Sequence, residues 1–509
     1  MADLTLSLFF LTAIGGLIYL YLSWNFDFWK KRGVKGPEPK LIFGSIPSIV
    51  KRNRNLAFDM QELYEKYKKS GERFIGIFMT RNPQILVIDP SLAREIMITN
   101  FKSFRDNEPS LWVRFYANKK LENVAPINPF LTEGSEWKRL RSEFMGGLSP
   151  AKVKQAHPIV TGICHKLINY LNASIQKSGN KIEIKQVCYK FTIEIVTDFI
   201  WGVNADALKV DDAPNKMFIM ARTMIEKSFL KIGYYYITGL VPFIRKITNK
   251  RFYPEETDKF FAGVQKDALE LRLRSKNDRP DYLNYLIQLQ EKKNISLEDM
   301  TGHSLTVLLD TFETTGSVIA HTLYYLANDQ NTQNKLRTEI MANLNEEGNM
   351  SYDVLTELPY LDQCIMETIR IITYISVSSR MCSEETYLEC RPNHKVKIEP
   401  GMILHIPTYS FHHDAEIFAN PNEYIPERFD DDRAKELNQQ GYFVPFGDGP
   451  RICGGMKFGQ LESKAAVVEV LKNFRLKREN NGEELTLNPT SFILGLSGDF
   501  NVEFESIQK

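Results

Sequence analysis

The stretch GYFVPFGDGPRICGGMKFGQ, residues 441–460, constrains this chain more than any other. It surrounds one thiol, Cys453, with Gly447, Gly449, Gly454, Gly455, Pro450 and Arg451, and it places Phe446 upstream. Glycine and proline preset a tight backbone turn, and glycine lets main chain approach a ligand closely. Directly afterwards Phe458, Leu461, Ala465 and Val468 recur at helical spacing on one face. Cys453 therefore belongs to a rigid loop that leads into a helix. There, backbone N–H groups and the helix N-terminus favour the thiolate, a ligand for soft metals and for iron.

Zinc is excluded by spacing, since no second cysteine or histidine stands at ligand distance from Cys453 in the sequence. The other cysteines (Cys164, Cys188, Cys364, Cys382, Cys390) form no CxxC pair and no disulfide framework, which suits a reducing compartment. A formal charge of +1 over 509 residues gives no bulk attraction for nucleic acid. With 43% hydrophobic residues, the chain has ample material for a large core.

The N-terminus predicts a membrane anchor. Leu4–Trp24 is uncharged, and 21 residues of helix span roughly 32 Å, close to a bilayer core. Tyr19, Tyr21 and Trp24 stand toward its far end, followed by Lys30, Lys31, Arg32 and Lys35. Basic residues on that side place the rest of the chain in the cytosol. A cleaved signal peptide fits less well, for want of a basic start and a small-residue cleavage site. The sequons at Asn172, Asn294 and Asn349 are then expected to be bare.

The domain reading is an anchor over 1–29, a basic, proline-containing hinge over 30–40 and a single domain over 41–509. Residues 73–79 and 84–89 flank a T-R-N-P turn at 80–83 and predict a β-hairpin, and Ser91 is positioned to cap the helix after it. Helical periodicity dominates from about residue 100, so the fold class is mainly α with small β-sheets. The longest helix starts at Ser296, with Asp299 completing a capping-box-like signal, and meets no proline through Ala327. Mid-helix it carries Asp310, Thr311, Glu313, Thr314 and Thr315. A solvated face is the plain reading. Leu305, Leu308, Leu309, Phe312, Val318 and Ile319 around the cluster favour a functional groove instead.

Four patterns recur in order: Trp137-Lys-Arg-Leu-Arg141, Glu367-Thr-Ile-Arg370, Pro426-Glu-Arg-Phe429, and F-x-x-G-x-R-x-C-x-G from Phe446 to Gly455. Each alone is a helix-surface pair or a loop. Together they resemble the cytochrome P450 family of haem-thiolate monooxygenases, from the anchor to near residue 500. The resemblance implies that fold, with the long central helix over a haem b whose iron Cys453 ligates. It implies Trp137, Arg141, Arg380 and Arg451 at the haem propionates and Phe446 beside the sulfur. Glu367, Arg370 and Arg428 match a structural triad, and Glu313 and Thr314 the acid–alcohol pair that manages protons at bound oxygen.

No dinucleotide or flavin fingerprint is present, so electrons come from outside. The resemblance implies NADPH–cytochrome P450 reductase as donor, with cytochrome b5 a further candidate, at the endoplasmic reticulum membrane with the catalytic domain facing the cytosol. Lys138, Arg139 and Lys457 are the candidate docking cations. The substrate class implied is a small lipophilic xenobiotic or endogenous lipid, read by 105–130, 217–243, 306–315 and 491–498. A peroxide isomerase or dehydratase of the same fold, or a non-catalytic haem sensor or carrier, would need no reductase, and neither would need Glu313 and Thr314.

Two departures from the family pattern stand out. Asp310-Thr311 replaces the usual Ala-Gly. One fatty-acid-hydroxylating branch carries Glu there, esterified to a haem methyl; whether Asp310 bonds to haem in this way is tested by acid–acetone extraction. IITYISVSSR also replaces the usual aromatic-Pro-Pro segment before Arg380.

Overall fold

The computed structural model describes residues 2–51, 54–111, 125–210, 215–225, several positions between 234 and 244, 251–275, 277–430, 432–478, 486–487, 495–498 and 500–507. Parts of the expected specificity segments, namely 112–124, 226–233, 235, 236, 239, 242 and 491–494, lie outside them.

The first helix, Ala2–Ser23, is exposed from Leu4 to Tyr21. Among the described residues it is the helix long and apolar enough to cross a membrane, over Leu4–Ser23. Its end meets the globule. The Tyr21 hydroxyl donates to Leu240 O (2.7 Å), and the Arg81 guanidinium lies 3.9 Å from the Tyr21 ring. The exposed side chains of Ile237, Val241 and Phe243 therefore share a side of the molecule with the end of that helix.

The expected hinge lies along a sheet. Trp29 is buried and donates its indole N–H to Ile77 O (3.1 Å). Lys35 pairs with the buried carboxylate of Glu72 (3.0 Å). Gly36 sits so near Gly76 that a Cβ would stand 2.0 Å from its carbonyl oxygen, so only glycine fits there.

That sheet has four strands, β1 (Phe74–Met79), β2 (Asn82–Val87), β3 (Ser378–Met381) and β4 (Ile403–Ile406), in the order β1-β2-β4-β3. β2 and β4 are parallel and the other pairs antiparallel. The hairpin is tighter than the sequence suggested. Met79 pairs with Asn82, so the turn is Thr80–Arg81 and Pro83 lies within β2 opposite Phe78. Pro83 is tolerated because β4 pairs only with Ile85 and Leu86, farther along. The next helix, Pro90–Met97, is capped by Asp89 and not Ser91: Asp89 accepts from the Ser91 amide (2.9 Å), and Pro90 takes the first turn.

The helical body packs around Leu297–Asn328, hereafter the central helix. Ser296 and Asp299 form a full capping box at its start. Ile184–Trp201 lies along it, and Met456–Asn473, hereafter the cysteine helix, crosses beneath. At that crossing Gly459 comes close enough to Thr315 that a Cβ would stand 3.2 Å from its hydroxyl. Phe458, Leu461, Ala465 and Val468 are buried as the periodicity predicts. Ala466, Val467, Val470 and Leu471 are buried too, so this helix is enclosed nearly all round. The helical core and a second cluster, centred on the sheet with Trp29, Phe74 and Phe411, leave the cysteine loop between them.

Candidate active site

The cysteine loop is held by its own backbone. The Cys453 amide donates to Phe446 O (2.8 Å), and Phe446 packs against the helical core. Gly449 adopts φ +69°, and a Cβ there would meet Met97 O at 2.1 Å. No other residue fits that position without shifting the neighbouring chain. Beyond the turn, the Gly455 and Met456 amides hydrogen-bond to the sulfur at the helix N-terminus.

Cys453 exposes surface, yet desolvation is the main influence on its thiol and pushes its pKa up. The Gly455 amide opposes this, Asp310 adds to it, and Arg141 and the Met456 amide oppose it. A group that is accessible but desolvated faces an interior cavity. Asp310 behaves the same way. It exposes surface, but burial raises its carboxyl to about 6, with Asn128 and then Arg141 pulling it down. Cys453, Arg141 and Asp310 thus sense one another around one cavity, between the cysteine loop and the central helix.

Thr314 stands one turn after Asp310, and its hydroxyl donates to Asp310 O (2.7 Å). Its hydrogen is engaged with its own helix, while its lone pairs remain able to accept. Glu313 is partly buried; burial lowers the Lys185 pKa and raises that of the Tyr189 phenol, while the Glu313 charge pushes both up and Arg222 pushes both down.

The expected arginines converge, with different degrees of freedom. Trp137 and Arg141 lie on the helix Gly134–Gly146, where Arg141 donates to Ile452 O (2.5 Å) on the cysteine loop. Arg451 lies 4.6 Å from the Trp137 ring and is committed to protein acceptors: Arg105 O (2.5 Å), Thr132 O (2.9 Å), Pro129 O (3.3 Å) and Asp106 (3.5 Å). Arg380, in β3, is buried and donates to Ser379 O, while its Nε has no hydrogen bond among the described residues. Burial pulls its pKa to about 10. Arg105, which the sequence reading did not single out, also has a buried Nε without a hydrogen bond among the described residues, 3.6 Å from the Asp106 carboxylate. A lone arginine in a loop carries no motif.

A haem bearing two propionates supplies what these residues lack. It would bring an anion to Arg380 and a metal to the sulfur, and the buried Arg380 Nε, without a hydrogen bond among the described residues, fits that group. Asn128 was also missed. Its side-chain oxygen caps the turn Pro129–Leu131 by accepting from Phe130 N (2.8 Å), an Asn-Pro signal visible in the sequence.

Beneath the loop, Arg370 forms a two-pronged pair with Glu367 (2.7 and 2.8 Å), both side chains fully buried. Arg428 adds a bond to Glu367 (3.2 Å), and Arg370 also donates to His412 O and Pro421 O. The spacing of Glu367 and Arg370 on one helix and Arg428 on a distant turn is brought together as the motif order implied.

Comparison with known proteins agrees with this geometry. The family model described as "Cytochrome P450" matches residues 34–500. "Probable cytochrome P450 309a1" of Drosophila melanogaster is 39% identical over 497 residues, covering 97% of each chain. "Probable cytochrome P450 309a2" of the same organism is 37% identical, over 96% of this chain and 90% of the relative. "Probable cytochrome P450 28a5", also from Drosophila melanogaster, is 34% identical over the full length of both.

Proposed function

The chain belongs to the cytochrome P450 family, and from that premise we propose that it is a membrane-bound monooxygenase that takes electrons from NADPH through NADPH–cytochrome P450 reductase and inserts one oxygen atom of O2 into a small lipophilic substrate. The haem-thiolate monooxygenase class follows from the family. The observation that carries the finer reading is that Cys453, which exposes surface, stands close enough to the polar turn Asp310–Thr314 of the central helix for Asp310 to act on its thiol.

In this reading Cys453 holds the haem iron, while Trp137, Arg141, Arg380 and Arg451, with Arg105, surround the propionates. Bound haem supplies oxygen activation, to which a thiolate ligand contributes electron density. The Gly455 and Met456 amides limit how much density the sulfur gives up, and so tune the site. Thr314, its hydrogen held by Asp310 O, accepts from a water and positions it over the cavity. Glu313 passes protons to that water from the side where Lys185 and Arg222 lie.

Leu4–Ser23 and the apolar side chains near Tyr21 support attachment to a bilayer, taken to be the endoplasmic reticulum with the catalytic domain in the cytosol. Lys138 and Lys457 are exposed and make no ion pair among the described residues, which suits docking of an acidic reductase or cytochrome b5. Arg139 is less suited, being paired with Glu136 (2.6 Å) and the buried Glu143 (2.9 Å).

The reduced carbon-monoxide difference spectrum, followed by NADPH oxidation with reductase and a lipophilic substrate panel, tests the reading. The expected result is the thiolate-type spectrum and substrate-dependent NADPH use, both lost in Cys453→Ala. A colourless protein, or pigment that survives that substitution, overturns it. Turnover of peroxides without NADPH would identify an isomerase, and pigment without turnover a carrier.

A further inference from the structure

The central helix turns a carboxylate into the cavity without giving it a cation. Asp310 Oδ1 accepts from Asn128 Nδ2 at 3.4 Å, and among the described residues Asp310 has no ion-pair partner. Asn128 cannot exchange its roles. It is buried, and its oxygen is taken by the Phe130 amide (2.8 Å), so its NH2 must face Asp310. An amide holds the carboxylate in place but leaves its charge uncompensated. Arg141 acts on Asp310 only through its field, and it is bound to Ile452 O on the opposite wall. A carboxylate enclosed in this way is costly until a cation reaches it.

We propose that Asp310 selects substrate in this active site, and that the preferred substrates are lipophilic molecules carrying a protonated amine. The inference rests on the monooxygenase reading above and narrows its substrate class. An ammonium at Asp310 makes a charge-assisted hydrogen bond in a site removed from water, where such bonds are strongest. Asp310 and Thr314 are neighbours at i, i+4 on one helix face. The same contact therefore anchors the substrate beside the alcohol, with its apolar body free to fill the rest of the cavity.

Two nearly isosteric probes separate charge from shape: 1-(3-aminopropyl)imidazole and 1-butylimidazole. Each is titrated spectrally against the haem-loaded protein, as wild type, Asp310→Asn, Asp310→Ala and Asp310→Glu. The imidazole head reports haem access in every variant, and the tail reports the cavity. The expected result is a preference for the aminopropyl probe in wild type that falls on the order of tenfold in Asp310→Asn and Asp310→Ala and returns in Asp310→Glu. An unchanged ratio of the two affinities overturns the inference while leaving the monooxygenase reading intact. A haem that resists acid–acetone extraction, with a flat ratio, also overturns it, because the carboxyl is then spent on an ester. Failure of the aminopropyl probe to shift the wild-type spectrum where 1-butylimidazole does shift it likewise overturns the inference alone.

Discussion

The Val444 amide donates to Nε2 of His412 at 3.2 Å, and this bond joins the cysteine loop to the buried ion-pair network. Because Nε2 accepts, Nδ1 carries the proton and gives it to Thr373 Oγ1 (2.9 Å), whose hydroxyl donates to Arg370 O (2.6 Å). The His412 carbonyl in turn accepts from Arg370 (2.9 Å). Burial holds the imidazole well below its usual pKa, so the chain of bonds runs one way, from loop to triad.

Replacing Glu367 by Gln leaves Arg370 fully buried without its counter-charge and weakens Arg428's hold. Breaking a buried pair costs about 3–5 kcal/mol against a typical total of about 5–15. We expect a large fall in melting temperature and loss of bound haem together. An unchanged melting curve would show that the network is dispensable.

Two loop glycines predict opposite outcomes. Gly449→Ala forces a side chain into φ +69° and onto Met97 O, and it should destabilise by at least about 1–3 kcal/mol. Gly455, with φ −89° and open space around its Cβ position, should accept alanine with little change, since its amide to the sulfur remains. Denaturant midpoints of the two variants decide this.

Arg380 and Arg451 should fail differently. Arg380→Met removes a buried cation that has few protein acceptors, so it should speed haem loss to a scavenger more than it lowers stability. Arg451→Met leaves the carbonyls of Arg105, Pro129 and Thr132 without that donor, and it should lower the melting temperature. Equal effects on both readouts would refute the distinction.

His413 stacks on Tyr409 at 3.9 Å, and burial, aided by Arg370, drops its pKa to about 3. The folded state keeps it neutral, while the unfolded chain takes up a proton below about 6.5. Its contribution is therefore complete above that pH and is lost as pH falls. From pH 7 to 5 the loss is about 2 kcal/mol. Chemical denaturation at both pH values should show a smaller drop in His413→Gln than in wild type by about that amount; identical drops would argue against a buried neutral His413.

Lys138→Gln with Lys457→Gln should raise the reductase concentration needed for half-maximal NADPH turnover, most at low salt. Arg139→Gln should instead act on stability, since it releases the buried Glu143 from one of its partners. Steady-state rates across ionic strength separate these cases.

Much of the site was legible because it depends on short-range backbone requirements. The glycines around Cys453, the capping box at Ser296 and the Glu367–Arg370 spacing are local, and a turn or a helix N-terminus needs particular residues whatever surrounds it. Local signals also misplaced boundaries. Ser91 has a capping side chain, but Asp89 with Pro90 supplies a better start, and Pro83 reads as a turn although it lies within β2, paired with Phe78, where β4 does not reach it.

What the amino-acid order determined, then, was the turn that holds Cys453, the start of the central helix and the spacing of the Glu367–Arg370 pair. Only the tertiary structure decided which cations are spent and which are open. Arg451 is consumed by carbonyls from a distant loop, Arg380 keeps a buried nitrogen without a hydrogen bond among the described residues, and Asp310 has an amide for company. Hydrogen-bond satisfaction and desolvation depend on every group within a few ångströms. Those neighbours come from segments hundreds of residues apart, which no local pattern records.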